Sequence, residues 1–468
     1  MSEDRQALER AVLHAFDHLD GLQTDRVGAS VSLSHLRQAL HRPLPETGTP
    51  AARVIDELVA DTRGGILGSQ GGRFFGWVIG GGLPAAMAAD WLTTVWDQNA
   101  GIHAAGPAAA VVEEIAGAWL RELFELPFEA SFAFTTGTQM GHVTCLAAAR
   151  HAVLSARGWD VAQKGMFGAP AIRILSSAER HGSVDRATRL LGFGAGSIEP
   201  LAVDADGRVR PETLDAALAR CDAPAIVVLQ AGELNLAAFD PFETLVPIAR
   251  ARGAWIHVDG AFGLWAKLCP DTRHLVRGIE LCDSWTSDGH KYLNVPYDCG
   301  FAFVRDAAAH RAAMSLAASY LPAAGGARDQ LDWNPEFSRR ARGFPVYAAL
   351  RQLGREGLSD LVARTCRYAR AIAEGIGSLD GAELIAVSGL NQALVGFLSE
   401  KPDATPADHD ARTDQVIAAV NASGEALFGG VTWRGRRAMR ISVCNWRTTE
   451  RDVERSIAAV ANVLAGGR

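Results

Sequence analysis

Between residues 130 and 305 the chain alternates short apolar runs with segments of helical spacing, and this alternation limits the possible folds more than any other feature. The runs are Phe132-Ala133-Phe134, Ile172-Arg173-Ile174-Leu175, Ala225-Ile226-Val227-Val228-Leu229, Trp255-Ile256-His257-Val258 and Phe301-Ala302-Phe303-Val304. Short buried strands separated by helices predict a mostly parallel sheet covered on both faces. Ligands of such sheets sit at the carboxyl ends of the strands. The polar residues that follow each run are therefore the ones to read for chemistry.

The flanks are different. Residues 1–60 read as helical and polar, with helical spacing from Arg5 to Leu22 and breaks at Pro43, Pro45 and Pro50. A glycine-rich stretch ends in Gly80-Gly81-Gly82, and Ala-rich helices are expected from Pro84 to Gln98 and from Ala108 to Leu126. An irregular stretch from Ser319 to Asn334 holds Pro322 and Gly325-Gly326. Helices return from Phe344, with a strand at Met439–Val443. A chain of 468 residues is expected to form two or three lobes. The expected division is an N-terminal helical segment over 1–65, a large domain over 66–340 and a small α+β domain over 341–468.

Several classes are excluded at this level. No apolar stretch approaches the roughly 20 residues of a membrane span. The start, Met1-Ser2-Glu3-Asp4-Arg5, lacks the layout of a secretory signal. A net charge of −7 gives no footprint for nucleic acid or anionic lipid. The seven cysteines are scattered and form no CxxC pair, which predicts reduced thiols, a cytoplasmic location and no metal site.

Lysine is scarce. Only Lys164, Lys267, Lys291 and Lys401 occur, among 46 Lys+Arg. Surface charge is supplied by arginine, so a lysine between strand-like segments asks for a chemical reason. An amine can lose its proton and attack a carbonyl, whereas a guanidinium cannot. Lys291 is such a lysine, in Ser287-Asp288-Gly289-His290-Lys291. Two more strand ends stand out. Phe134-Thr135-Thr136-Gly137-Thr138-Gln139 reads as a plain strand–helix turn or as a phosphate cradle at a helix N-terminus. Asp259, closing Trp255–Val258, reads as a helix cap, a structural ion pair or a carboxylate facing a positive charge on a bound ring. Taken together, a cradle, a carboxylate and a reactive lysine are what pyridoxal phosphate (PLP) requires.

From about Phe74 to Asp452 the chain resembles the group II PLP-dependent amino-acid decarboxylases, the family of aromatic-amino-acid and glutamate decarboxylases. The resemblance is carried by Asp283-Ser284, Asp288-Gly289-His290-Lys291 and Cys299-Gly300, by Ala178–Val184, by His257-Val258-Asp259-Gly260-Ala261, by Gly354–Leu358 and by Arg440–Asn445. It implies PLP fold type I, like aspartate aminotransferase. That architecture has a mostly parallel seven-stranded sheet, a smaller C-terminal α+β domain and homodimers that share their active sites. It implies Lys291 as the Schiff-base lysine, Asp259 as the partner of the pyridine nitrogen and His181 as the ring-stacking histidine near the leaving carboxylate. Thr138 and Gln139 would hold the phosphate, with His290 closing the cup. Asp288 and Ala261 fall within the same cofactor motifs. Arg440 would clamp the substrate carboxylate or form an ion pair in the small lobe. Phe75 and Trp77 are either a side-chain wall or core, with His103 contributed from a neighbouring segment.

The sequence departs from the family pattern at Gln139, at Met140 and in the turn Gly232-Glu233-Leu234-Asn235. It also has Gln330 where many members place a loop tyrosine, and Tyr320 is the only tyrosine nearby. The expected activity is removal of the α-carboxylate of an L-amino acid, aromatic or apolar, to give amine and CO2. The alternatives are other PLP chemistry at Cα, such as aldol-type cleavage or oxidative deamination to an aldehyde, or a non-catalytic subunit.

Overall fold

The computed structural model describes residues 2–220, 222–316 and 327–466; Cys221, Tyr320, Pro322 and Gly325-Gly326 lie outside the described residues. The chain forms two compact units. The larger comprises Val78–Arg370 and Ala386–Ala393, the smaller Met1–Trp77, Ala371–Ile385 and Leu394–Arg468.

In chain order the strands are β1 (Phe74–Phe75), β2 (Ser131–Thr135), β3 (Arg173–Ser177), β4 (Ile198–Leu201), β5 (Ala225–Gln230) and β6 (Trp255–Asp259). They continue with β7 (Ser284–Asp288), β8 (Gly300–Val304), β9 (Ala382–Val387), β10 (Gln392–Phe397), β11 (Leu427–Trp433) and β12 (Arg436–Ser442). The larger unit is built on a seven-stranded sheet of order β2-β8-β7-β6-β5-β3-β4. The neighbours from β7 to β4 pair in parallel, and β8 runs antiparallel to both β2 and β7. All residues of β5 and β6 are buried, as expected where helices cover both faces.

The five apolar runs named above correspond to β2, β3, β5, β6 and β8. β7 gives no apolar signal, because its sequence is Ser-Trp-Thr-Ser-Asp, yet all five residues are buried. The sheet pairs two of the three hydroxyls: Ser284 Oγ accepts the indole N–H of Trp255 at 2.9 Å, and Thr286 Oγ1 donates to the Val258 carbonyl at 3.4 Å.

The helices up to the middle of the sheet are α1 (Glu3–Gly21), α2 (Leu33–Leu40), α3 (Ala51–Thr62), α4 (Pro84–Trp96), α5 (Pro107–Leu123), α6 (Thr138–Ser155), α7 (Val161–Lys164) and α8 (Gly182–Leu190). α6 packs on β6, β7 and β8 and is buried nearly all round, including the polar His142 and Thr144. By contrast, α1, α2 and α3 contain no buried residue.

The chain does not divide after residues 65 and 340. Residues 1–65 fold with the C-terminal lobe because Arg73, 1% exposed, donates to the carbonyls of Gln23, Asp25 and Glu425. The second boundary falls at Arg370, inside the long helix Gly343–Gly377, which is interrupted only at Gly354. That residue has φ 59°, a left-handed conformation that glycine adopts without a Cβ clash. The smaller unit holds most of a second sheet, of order β1-β11-β12-β10-β9.

Candidate active site

The site is assembled at the carboxyl ends of β2, β5, β6 and β7. β2 ends at Thr135, and Gly137 leads into α6 without any side-chain cap. The backbone here is packed too tightly for other residues: a Cβ on Gly300 would lie 2.4 Å from the Gly137 Cα. The N–H of Thr138 donates to Asp288 Oδ1 at 2.6 Å. Thr138 Oγ1, Gln139 Nε2 and Ser287 Oγ are buried without a protein partner. Buried polar groups are normally satisfied, and orphaned donors beside a helix N-terminus suit an anionic group such as a phosphate. The residues present thus fit the phosphate end of PLP.

Lys291 follows β7 directly. Its loop is clamped by Gly80, whose N–H donates to the His290 carbonyl at 3.1 Å and where a Cβ would lie 2.1 Å from the Lys291 carbonyl oxygen. Lys291 Nζ is 3.0 Å from Asp288 Oδ2 and 5.7 Å from the centre of the Phe262 ring. Burial alone would raise the Asp288 carboxyl, but the charges of Lys291 and His290 hold it below its ordinary value. His290 Nδ1 accepts from the Cys299 N–H at 3.2 Å, and its ring stacks on Tyr297. Burial lowers the His290 imidazolium. The other three lysines are engaged elsewhere: Lys164 over Trp159, Lys267 with Glu125 and Glu280, and Lys401 with Asp408.

Asp259 closes β6 and is 7% exposed. Its Oδ1 accepts from the Ala261 N–H at 3.2 Å, and its Oδ2 is 3.4 Å from His142 Nε2. Burial alone would raise this carboxyl; His142, then His181 and Lys291, outweigh that and hold it well below the usual range. His181 caps α8: its Nδ1 accepts from the Ser183 N–H at 3.2 Å. Burial lowers its imidazolium, opposed by Asp259 and reinforced by Lys291.

Eight of the residues singled out from sequence therefore share one cavity of about 560 Å3: Thr138, Gln139, His181, Asp259, Ala261, Asp288, His290 and Lys291. The remaining four lie elsewhere. His103 is in the same unit but outside the cavity lining, with its backbone N–H and Nδ1 both on Asp329 Oδ1 at 2.8 Å. Phe75, Trp77 and Arg440 belong to the smaller unit. Phe75 is a core residue, fully buried and stacked on Phe428, because β1 pairs with β11. Trp77 is 58% exposed beside Phe74, and Arg440 is buried on β12 opposite Gly429.

Gln330 is not a loop residue. It is fully buried, its amide takes a hydrogen bond from Arg328, and its Nε2 donates to the Ala110 carbonyl at 3.5 Å. The turn at Gly232–Asn235 is stapled by the buried Glu233 carboxylate, which accepts from Asn235 and Leu236. Sequence reasoning passed over Arg186, Phe262 and Gln230, which also line the cavity, and His142 behind Asp259. A histidine four residues into a helix that follows a strand end was the available signal for His142.

Known proteins share this chain's family and fold. Residues 34–399 match the family described as pyridoxal-dependent decarboxylase conserved domain. The chain is 30% identical to an L-2,4-diaminobutyrate decarboxylase of Rhizobium meliloti, over 98% of this chain and 92% of the relative. It is 24% identical to a phenylacetaldehyde synthase of Arabidopsis thaliana, over 89% and 87%. In fold it is similar to the crystal structure of Oryza sativa TDC with PLP and tryptamine, with a TM-score of 0.92 and 23% identity over 99% and 98% of the two chains. With fold type I architecture and a cavity that fits PLP, the chain belongs to the pyridoxal-dependent decarboxylase family and is a PLP-dependent amino-acid decarboxylase.

Proposed function

We propose that the protein removes the α-carboxylate of an aromatic or apolar L-amino acid, releasing amine and CO2. The observation that carries this reading is the cavity that gathers Lys291, Asp259 and His181 with apolar lining at Val78, Leu234 and Phe262. PLP bound there supplies an electron-accepting ring. Lys291 Nζ is the amine to which the cofactor attaches, and Asp288, 3.0 Å away, orients it. Asp259, held as an anion, keeps a proton on the ring nitrogen. His181, whose Nδ1 accepts from the Ser183 N–H, would stack on the ring. Thr138, Gln139 and His290 hold the phosphate end. Arg186 is the lining cation other than Lys291 and suits the substrate carboxylate. The test is a mass-spectrometric screen of the common amino acids with the PLP-loaded protein. Turnover confined to acidic or cationic substrates would refute the aromatic or apolar assignment.

A second reading is oxidative conversion to an aldehyde, favoured by the aldehyde synthase among the relatives. Amine and aldehyde, quantified under air and under nitrogen, separate the two.

The working form is proposed to be a homodimer joined through residues 1–65. α1–α3 bury none of their own residues, and Leu8, Leu13, Phe16 and Leu33 are each more than half exposed. An unpartnered apolar face of this extent marks an association surface. Phe16→Glu together with Leu8→Glu should halve the mass measured by light scattering; an unchanged mass refutes this interface. The cytoplasm is the proposed location, in line with six free thiols among the described residues, of which Cys366 is pushed up to about 12 by burial. No described helix is long and apolar enough to cross a membrane.

A further inference from the structure

Behind Asp259 runs a line of buried polar groups; His257 and Ser284 lie within the motifs that carry the resemblance, and His142 lies outside them. His142, on α6, places Nδ1 2.9 Å from His257 Nε2, with the two rings edge to face. His257, on β6, places Nδ1 2.9 Å from Ser284 Oγ, the first side chain of β7. Ser284 Oγ in turn accepts the indole N–H of Trp255 at 2.9 Å. His142, His257 and Ser284 are fully buried. The hydrogen-bonded line therefore runs Trp255–Ser284–His257–His142, and His142 Nε2, which makes no hydrogen bond of its own, lies 3.4 Å from Asp259 Oδ2, within ion-pair distance.

The chemistry of these groups restricts where the protons lie. The indole N–H only donates, and a carboxylate only accepts. With both imidazoles neutral, one placement has Ser284 donating to His257 Nδ1, His257 Nε2–H donating to His142 Nδ1, and His142 Nε2–H facing the carboxylate. The reverse placement sets the His142 lone pair against the carboxylate, two acceptors in a buried site, which is repulsive. A His142 protonated on both nitrogens again aims Nε2–H at Asp259. Every acceptable arrangement thus directs a proton of His142 toward the carboxylate. Burial also drives the His257 imidazolium well below its ordinary value, so this ring serves as a neutral relay.

We infer that His142 is a positioning residue of the cofactor site, which fixes Asp259 as an anion and so sets how fully the ring nitrogen of bound PLP is protonated. The inference rests on the reading that Asp259 serves that nitrogen. His257 and Ser284 act through His142, by fixing which of its nitrogens carries the proton.

The test is 15N NMR of the full-length protein reconstituted with PLP labelled at the ring nitrogen, with kcat and KM measured in parallel. Four variants are needed: Asp259→Asn, His142→Leu, His142→Gln and Ser284→Ala. In His142→Leu the nitrogen signal should move toward the unprotonated position. Its kcat should fall about tenfold, the equivalent of one pH unit at the carboxyl, with KM within about twofold. His142→Gln keeps an N–H donor and should recover at least half of the displacement. Ser284→Ala should displace the signal in the same direction by less. A wild-type signal in His142→Leu, with a displaced one in Asp259→Asn, overturns the inference alone. A wild-type signal in Asp259→Asn overturns the underlying reading of Asp259. A Gln variant no better than Leu overturns the donor role. If His142→Leu does not load PLP, an undisplaced signal in Ser284→Ala overturns the relay.

Discussion

Asp259 and Asp240 lie beside neighbouring strands of the large sheet, one closing β6 and the other in the loop after β5, and both are buried: 7% and 2% exposed. Their surroundings differ. Asp240 accepts only backbone N–H groups, from Val209 at 2.8 Å and Gln230 at 2.7 Å. Burial pushes its carboxyl up to about 6, and the charge of Asp204 adds to the rise. Asp259 faces His142, His181 and Lys291, and these outweigh burial and hold it well below the usual range. Equal burial therefore gives opposite shifts, and the partner decides the sign. A sheet edge of this kind can carry one carboxylate that fixes a loop and another kept anionic to face a bound positive charge.

If the cation is what distinguishes the two places, its removal should be felt at one and not the other. Lys291→Ala should abolish the borohydride-reducible link between protein and PLP entirely. Lys164, Lys267 and Lys401 are held by Trp159, by Glu125 and Glu280, and by Asp408. Peptide mapping that finds the pyridoxyl group on any of those three would refute the assignment. The pH dependence contributed by Asp240 should persist unchanged in this variant.

Next in size is Asp259→Asn, which should keep the fold and lose roughly 100-fold or more in turnover, the usual scale for removing a preorganised charge. Near wild-type turnover would erase the distinction between the two carboxylates. The sign for stability follows from its lowered pKa. Asp259 stabilises the folded protein above the ordinary carboxyl value of 3.8, and that contribution is lost as pH falls below it. The variant should therefore show a shallower acid limb in denaturant titrations.

Asp240→Asn should do the reverse. A raised carboxyl means the folded state binds the proton more tightly, so stability is present at low pH and is lost as pH rises from 3.8 to about 6. That interval corresponds to roughly 3 kcal/mol. The variant should be flat at this site across the interval, at a constant cost for one unpaired backbone donor, with turnover within a few fold of wild type. A steep loss of turnover would make Asp240 part of the chemistry and break the comparison.

The smallest effect sharpens it. Asp204→Asn removes the neighbouring negative charge and should lower the Asp240 midpoint below about 6 by a fraction of a pH unit, read from the carboxyl carbon shift against pH.

Asp259 was legible because it ends a strand of apolar residues, and ligands gather at such ends; Lys291 was legible from the scarcity of lysine, and Asp288 from the motif it shares with Lys291. β7 itself was not, since its hydroxyls look like a loop until Trp255 and Val258 are seen to pair with them. Phe75 illustrates the opposite failure: an aromatic next to a glycine-rich stretch suits a pocket wall equally well, and pairing of β1 with β11 makes it core. Gln330 aligns with a loop position by its distance from Trp333, but spacing cannot register that Arg328 and Ala110 bury its amide.

The parallel sheet, the order of strand–helix turn, carboxylate and lysine, and the family can all be read from the sequence alone. These are properties of local apolar patterning and of motifs a few residues long. Where the chain divides, and which way each buried carboxyl shifts, depend on contacts made once the chain has folded. Arg73 joins residues 1–65 to the C-terminal lobe through carbonyls some 50 and 352 positions away, and His142 reaches Asp259 from 117 positions earlier. Electrostatic partners act through distance in space, and a sequence carries no record of that distance until the sheet has closed.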